Sequence, residues 1–133
     1  MEVSMISSGV EKRRFSRVFF SIKDEVLGLF THSDSEKEMI TANIVNLSEG
    51  GLHFVLGRNK NKKFIGGDRL VFSEIKAKKT LEFVADIEVE IKWVLDDQYL
   101  KHVGFGCEFV NIPDAKRKEI VQLMNRLFQV GKE

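Results

Sequence analysis

The segment from Leu81 to Trp93 reads Leu-Glu-Phe-Val-Ala-Asp-Ile-Glu-Val-Glu-Ile-Lys-Trp. Every odd-numbered position in it is apolar, and five of the six even-numbered positions are charged. Alternation with a period of two residues is typical of a β-strand that has one buried and one solvated face. A strand this long in a small chain predicts a barrel, because a curved strand can fill the interior along its whole length. On this parity Trp93 is predicted to be a core residue.

Shorter segments on both sides have the same strand character, because each is rich in Phe, Val, Ile or Leu and ends at turn-forming residues. They are residues 18–22, 26–31, 38–47, 51–56, 68–75 and 103–110. After Pro113 the period changes, and apolar residues recur at helical spacing. These residues are Ile120, Leu123, Met124, Leu127 and Phe128. We therefore predict an all-β fold of six or seven antiparallel strands, followed by one C-terminal helix.

Composition narrows the class of protein. The chain has 133 residues, 43% of them hydrophobic and 31% charged, which suits one globular domain. Its net charge is only +1, whereas proteins that bind double-stranded DNA usually carry a clear positive excess. We therefore expect no DNA partner and favour a small anionic ligand. The single cysteine, Cys107, shares the apolar parity of its strand and is predicted to be a core residue. We expect a cytoplasmic location and no membrane insertion.

Two short polar clusters carry the functional signal. The first, Arg13-Arg14-Phe15-Ser16-Arg17, places guanidinium groups four residues apart. The second, Asn46-Leu47-Ser48-Glu49-Gly50-Gly51, follows a strand, so Asn46 and Ser48 are expected to point to the same face. Taken singly, the first also fits a solvated charged tail and the second a hairpin turn. Together they predict an anion clamp, in which Gly51 supplies a positive φ or space for a ligand.

Both clusters, in this order, resemble the PilZ domain, whose signature is R-x-x-x-R followed by D/N-x-S-x-x-G. The resemblance extends to the glycine-containing strand before the helix, residues 103–109. It implies a six-stranded antiparallel β-barrel capped by one α-helix, and binding of cyclic di-GMP. It also implies that Arg13 and Arg17 bind the phosphates and guanine, while Asn46, Ser48 and Gly51 form the complementary surface. Lys12, Arg14 and Gly50 are expected as secondary contacts. Whether one ligand or an intercalated pair binds is left open.

The domain prediction has two parts: a mobile N-terminal arm at residues 1–12 and a PilZ domain at residues 13–130. Within the domain we expect the barrel at about residues 18–112 and the helix at about residues 113–130. The resemblance implies a receptor that relays ligand occupancy to an unidentified protein partner. We expect the relay to operate by ordering of the arginine arm when the ligand binds.

Two other functions are compatible with the sequence. One is a ligand-independent interaction module of the same fold, with the basic cluster serving a protein partner. The other is a small RNA-binding barrel that uses the N-terminal arm and the basic stretch from Arg58 to Lys63, within a predicted solvated loop at residues 57–67. We predict no enzymatic activity, metal site or cofactor, because His32, His53 and His102 occur singly and no nucleotide-binding fingerprint precedes a helix.

Overall fold

The structure, a computed structural model, describes residues 17–32, 35–58, 64–77 and 81–132. Within these ranges it contains seven β-strands and one α-helix. They are β1 (Arg17–Phe19), β2 (Val26–His32), β3 (Ser35–Ser48), β4 (Gly51–Gly57), β5 (Arg69–Ala77), β6 (Leu81–Leu95), β7 (His102–Phe109) and α1 (Asp114–Lys132). The predicted arm at residues 1–12, together with Arg13 and Arg14, lies outside the described residues. The division of the chain into arm and domain therefore stays a prediction.

Six of the strands close into an antiparallel barrel. Their order is β3-β2-β5-β6-β7-β4, and β4 pairs with β3 to complete the ring. The long strand β3 makes this possible, because Asn43 and earlier residues pair with β2 while Leu47 pairs with Leu52 of β4. Strand β1 pairs with the end of β3 and brings Arg17 opposite Ser48. The prediction of a six-stranded antiparallel barrel with one C-terminal helix is confirmed.

Phenylalanine rings fill the barrel. Four of them, from four different strands, are fully buried and stack in sequence: Phe72, Phe30, Phe54 and Phe105. Consecutive ring centroids in this row lie 5.3, 4.6 and 5.0 Å apart. Full burial of each such side chain stabilises the fold by about 1.5–3 kcal/mol relative to exposure. The apolar side chains that alternate along the strands therefore fill the interior of the barrel, as the sequence pattern predicts.

Helix α1 completes the core. It begins directly after Pro113, and its residues Ile120, Leu123, Met124 and Leu127 are buried in the same hydrophobic cluster as the barrel side chains. The helix packs against β1 and β3, the two strands that carry Arg17 and Asn46. No helix in the described ranges is long and apolar enough to cross a membrane.

The first strand is shorter than predicted. It ends at Phe19 rather than at residue 22, and a single turn of 3-10 helix follows at Ile22–Asp24. The backbone N–H of Ser21 donates to Asp24 Oδ2 at 2.8 Å, and Glu25 ends the turn with a φ of 54°. A side chain that accepts a hydrogen bond from the nearby backbone offers an alternative to the β-ladder, so the strand stops here.

The prediction that Trp93 is a core residue is wrong. Ile91 pairs with Cys107 and Trp93 pairs with Gly106, so Lys92 is an extra residue in β6, a β-bulge. An extra residue shifts every following side chain to the opposite face of the strand. Ile91 is consequently buried, whereas Trp93 lies on the outer face and is 46% exposed.

The predicted solvated loop at residues 57–67 is partly anchored. Phe64 is 8% exposed, and its ring meets that of Phe105 edge to face at 5.9 Å. Arg58 Nη1 forms an ion pair with Asp96 at 2.8 Å, and its other nitrogens donate to backbone carbonyls of residues 97 and 100. Residues 59–63, which include three of the basic side chains of this loop, lie outside the described residues.

Candidate functional site: a cavity on the outer face of the barrel

The second polar cluster forms the hairpin between β3 and β4. Ser48 ends β3, Gly51 begins β4, and two residues connect them. The Ser48 hydroxyl accepts a hydrogen bond from the Gly50 N–H at 3.2 Å and donates to the Gly51 carbonyl at 3.3 Å. The Ser48 side chain is buried at 1% exposure. Within the described residues, its contacts hold the turn in shape.

Gly51 makes room for the neighbouring strand. A Cβ at this position would collide with the backbone carbonyl oxygen of Cys107 on β7. Among the described glycines only Gly67 has a positive φ, so Gly51 does not use that freedom. Its missing side chain instead allows β4 and β7 to approach each other closely beside the hairpin.

Arg17 joins the first cluster to the second. Its Nη1 donates to Asn46 Oδ1 at 2.9 Å, across the pairing of β1 with β3. The Asn46 side-chain amide also lies 3.4 Å from His53 Nδ1, and Asn46 is only 9% exposed. A buried amide held on both sides has a defined orientation, and it fixes the guanidinium group of Arg17 at the protein surface.

His53 is a site residue that the sequence analysis did not identify. Burial lowers its pKa, and the nearby positive charge of Arg17 lowers it further. A neutral ring that accepts the Asn46 N–H at Nδ1 carries its proton on Nε2. His53 Nε2 is buried without a hydrogen-bond partner in the described part of the chain, and a Cβ at Gly104 would approach it to 2.8 Å.

Trp93 is the second missed residue. Its ring meets His53 edge to face, with centroids 4.7 Å apart and an interplanar angle of 71°. A Cβ at Gly106 would collide with three adjacent atoms of the indole ring, so the ring lies directly against this glycine. The glycines at positions 104 and 106 each leave room for one ring. Two glycines on one face of a strand indicate that some group packs closely against the backbone there, but they do not indicate which residue supplies it.

These residues surround a cavity of about 550 Å³ on the outer face of the barrel. The volume lies within the range that is typical of small-molecule sites, about 300–1,000 Å³. The lining residues come from strands β1, β3, β4, β6 and β7 and from the hairpin: Arg17, Phe19, Asn46, Ser48, residues 50–53, 92–93 and 106–108. The site residues predicted from the sequence that the structure describes, namely Arg17, Asn46, Ser48, Gly50 and Gly51, therefore share one cavity. Arg13, Lys12 and Arg14 lie outside the described residues.

Charged side chains line one side of the cavity. Lys92 Nζ lies 3.1 Å from Glu90 Oε2 and 3.6 Å from Glu108 Oε1. The pKa of Lys92 is raised, mainly by Glu90 and then by Glu108. The pKa of Glu90 is lowered, mainly by Lys92 and then by Arg69. Both shifts favour the ionised forms of Lys92 and Glu90 at neutral pH. The cavity thus has a cation at Arg17, a cation at Lys92 and a carboxylate at Glu108.

The groups around the cavity suit the binding of a small anion. Cys107 is 8% exposed, and burial raises the pKa of its thiol to about 12, so it stays protonated and belongs to the core as predicted. Within the described ranges, no cluster of three or more His, Cys, Asp or Glu side chains could hold a metal ion. Arginine, amide and aromatic groups around an open cavity suit a planar anion.

Comparison with known proteins identifies the family. The family model described as PilZ domain matches residues 11–126, whereas no curated protein sequence matches the chain. The fold is similar to a structure of the PilZ domain of YcgR from Escherichia coli with c-di-GMP, with a TM-score of 0.67 and 15% identity over 90% of this chain and 93% of that one. It is also similar to a MrkH–c-di-GMP complex from K. pneumonia, with a TM-score of 0.66 and 16% identity over 93% of this chain and 55% of that one.

A third similar structure is the inhibitor of motility MotI/DgrA from Bacillus subtilis, with a TM-score of 0.62 and 17% identity. The match covers 93% of this chain and 55% of that one. The chain therefore spans about half the length of MrkH and MotI, and at these identities the likeness concerns the fold alone. The family model covers most of the sequence, including both polar clusters. The chain belongs to the PilZ domain family.

Proposed function

We propose that this protein is a receptor for cyclic di-GMP and binds it in the cavity on the outer face of the barrel. One observation carries the proposal: the 2.9 Å hydrogen bond from Arg17 to Asn46, which joins the two sequence clusters at the wall of the cavity. Neither cluster alone distinguishes a ligand site from a charged tail or a turn. Their direct contact beside a cavity of about 550 Å³ supports a common function.

The residues fit a guanine dinucleotide. The planar fork of Arg17 pairs with phosphate oxygens and can equally donate to O6 and N7 of guanine. In this proposal Arg13 supplies the second guanidinium group, while Asn46, Ser48 and Gly51 shape the opposing wall. Lys12, Arg14 and Gly50 act as secondary contacts.

Two similar structures support this choice of ligand, because they are described as containing c-di-GMP: the PilZ domain of YcgR and a complex of MrkH. For the present chain the ligand is an inference from its family and from its own cavity. Trp93 adds an aromatic surface on which a purine can stack, and such stacking contributes about 1–3 kcal/mol per base.

A relay to a protein partner is the second part of the proposal. Ligand binding draws Arg13 towards the cavity and orders the N-terminal arm, which changes the surface available to the partner. Helix α1 is close enough to sense the same event, because Arg117 Nη1 donates to the Glu49 carbonyl of the hairpin at 3.2 Å. The helix also packs against β1, the strand that carries Arg17.

Tryptophan fluorescence tests the binding site. Trp93 is the only tryptophan in the chain and lines the cavity, so ligand binding is expected to change its emission. Titration with cyclic di-GMP should give a saturable change that GTP and cyclic di-AMP do not reproduce. Arg17→Ala should weaken binding by about tenfold or more, the value of one charge-assisted contact.

Arg69→Ala is the matched control, because Arg69 is also an arginine on a strand but pairs with Glu88 and Glu90 away from the cavity. It should bind like the wild type. An unchanged emission at saturating ligand, with no competition in any assay, would instead favour the ligand-independent interaction module.

A further inference from the structure

Glu108 is the one carboxylate among the described residues that line the cavity. It lies on β7, opposite Gly51 of β4 and Glu90 of β6, and its side chain is 64% exposed. A negative charge beside a bound dianion is unfavourable by electrostatic repulsion alone. It is compatible with tight binding if the carboxylate accepts hydrogen bonds from the ligand.

The ion pair with Lys92 leaves Glu108 available for this purpose. Lys92 Nζ is closer to Glu90, at 3.1 Å, than to Glu108, at 3.6 Å. Exposed pairs of this kind are weak, because water and salt screen them. The weak pair with Lys92 therefore leaves the Glu108 carboxylate able to accept hydrogen bonds from a ligand in the cavity.

Trp93 offers a base an aromatic surface in the same cavity as Glu108. The indole lies against Gly106 and is 46% exposed. Gly106 and Glu108 are on the same side of β7, two residues and about 7 Å apart. A purine stacked on the exposed surface of Trp93 can therefore direct an edge towards the Glu108 carboxylate.

Guanine and adenine differ at that edge. The Watson–Crick edge of guanine has two donors, N1–H and the N2 amino group, whereas N1 of adenine is an acceptor. A carboxylate accepts both guanine donors at once and repels the lone pair of adenine N1. Glu108 is thus suited to distinguish the two bases.

We propose that Glu108 is the base-selectivity residue of the cavity, accepting hydrogen bonds from N1–H and the N2 amino group of a guanine that stacks on Trp93. The inference rests on the proposed function and adds the group that selects guanine. It also assigns a role to the only negative charge among the described cavity residues.

Calorimetric titration of wild type and Glu108→Gln with three ligands tests this inference. The ligands are cyclic di-GMP, cyclic di-AMP and cyclic di-IMP, the last of which lacks the N2 amino group. Wild type should bind cyclic di-GMP about tenfold or more tightly than either of the others, the usual value of a bidentate base contact. Glu108→Gln should lose about tenfold in affinity for cyclic di-GMP and should bind cyclic di-AMP no more weakly than wild type does.

Glu90→Gln is the matched control, because Glu90 contacts the same lysine but does not line the cavity. It should keep the wild-type selectivity. If Glu108 only repels the phosphates or pairs with Lys92, its substitution will strengthen binding of all three ligands alike, which would overturn the inference. If the wild type binds no cyclic dinucleotide, the proposed function is refuted as well. If the wild type and Glu108→Gln are equally selective for guanine, only the role of Glu108 is refuted.

Discussion

At Gly106 the absence of a side chain decides where an aromatic ring can lie. The indole of Trp93 occupies the position that a Cβ would take, and His53 is seated beside Gly104 in the same way. The cavity wall thus depends on two residues that contribute no side chain of their own. Substitution of Gly104 or Gly106, as well as substitution of the two rings, therefore tests the site.

Gly106→Ala is expected to displace the Trp93 ring without unfolding the barrel, because the ring is 46% exposed and can move outward. Loss of the stacking surface should weaken cyclic di-GMP binding by about 1–3 kcal/mol. Titration and the emission spectrum of Trp93 measure the two effects. Gly66→Ala is the control, since its Cβ would come no closer than 3.8 Å to the nearest backbone oxygen. Equal affinities for both variants would show that Trp93 does not contact the ligand.

Residue types and spacing predicted that these polar residues lie close together. Arg17, Asn46 and Ser48 share one cavity because a strand of period two places Asn46 and Ser48 on one face and β1 pairs beside them. His53 and Trp93 were missed for a physical reason. Their positions depend on cross-strand partners at Gly104 and Gly106, and local sequence does not specify which residues face each other across a sheet.

At the scale of elements, irregularities in the strands build the cavity. The bulge at Lys92 turns Trp93 outward, and a register shift between Ile44 and Asn46 places Asn46 opposite His53. Bulges re-aim side chains near functional sites in many sheets. Alternation predicted the positions of the strands, apart from the end of β1, but could not reveal where an extra residue reverses the faces.

The N-terminal arm is the element whose behaviour should depend most on ligand. If binding draws Arg13 to the cavity, saturating cyclic di-GMP should slow tryptic cleavage after Arg13 and Arg14 by about tenfold, because a protease requires an accessible and mobile segment. Mass spectrometry of the fragments over time measures this rate. Cleavage after Lys60 and Lys62 is the internal control and should be unaffected.

Equal cleavage at Arg13 with and without ligand would contradict ordering of the arm. Equal protection from trypsin near Arg13 and near Lys60 would indicate general stabilisation by the ligand rather than a local change. Only selective protection near Arg13 supports a relay through the arm.

At the scale of the whole molecule, the fold was predictable because apolar residues recur at the spacing of a strand or a helix throughout the chain. Alternating apolar residues fill a single interior, and the helical stripe at Ile120, Leu123 and Leu127 completes the same core. Closure of the barrel follows from β3, which is long enough to pair with β2 and β4 in turn. Phe64 was not anticipated in this core, because a single phenylalanine in a basic loop has no periodic neighbours to indicate burial.

Arg13 and Arg17 of the first cluster should act together with the barrel cavity as one receptor. The most direct test is calorimetric titration of cyclic di-GMP into wild type, Arg13→Ala/Arg17→Ala, and a charge-matched control, Arg69→Ala/Lys76→Ala on β5. We predict saturable binding, one or two nucleotides per chain, that the control retains and the arginine variant loses. Absence of binding to the wild type, or equal binding to both double variants, would contradict the assignment of this chain as a cyclic di-GMP receptor.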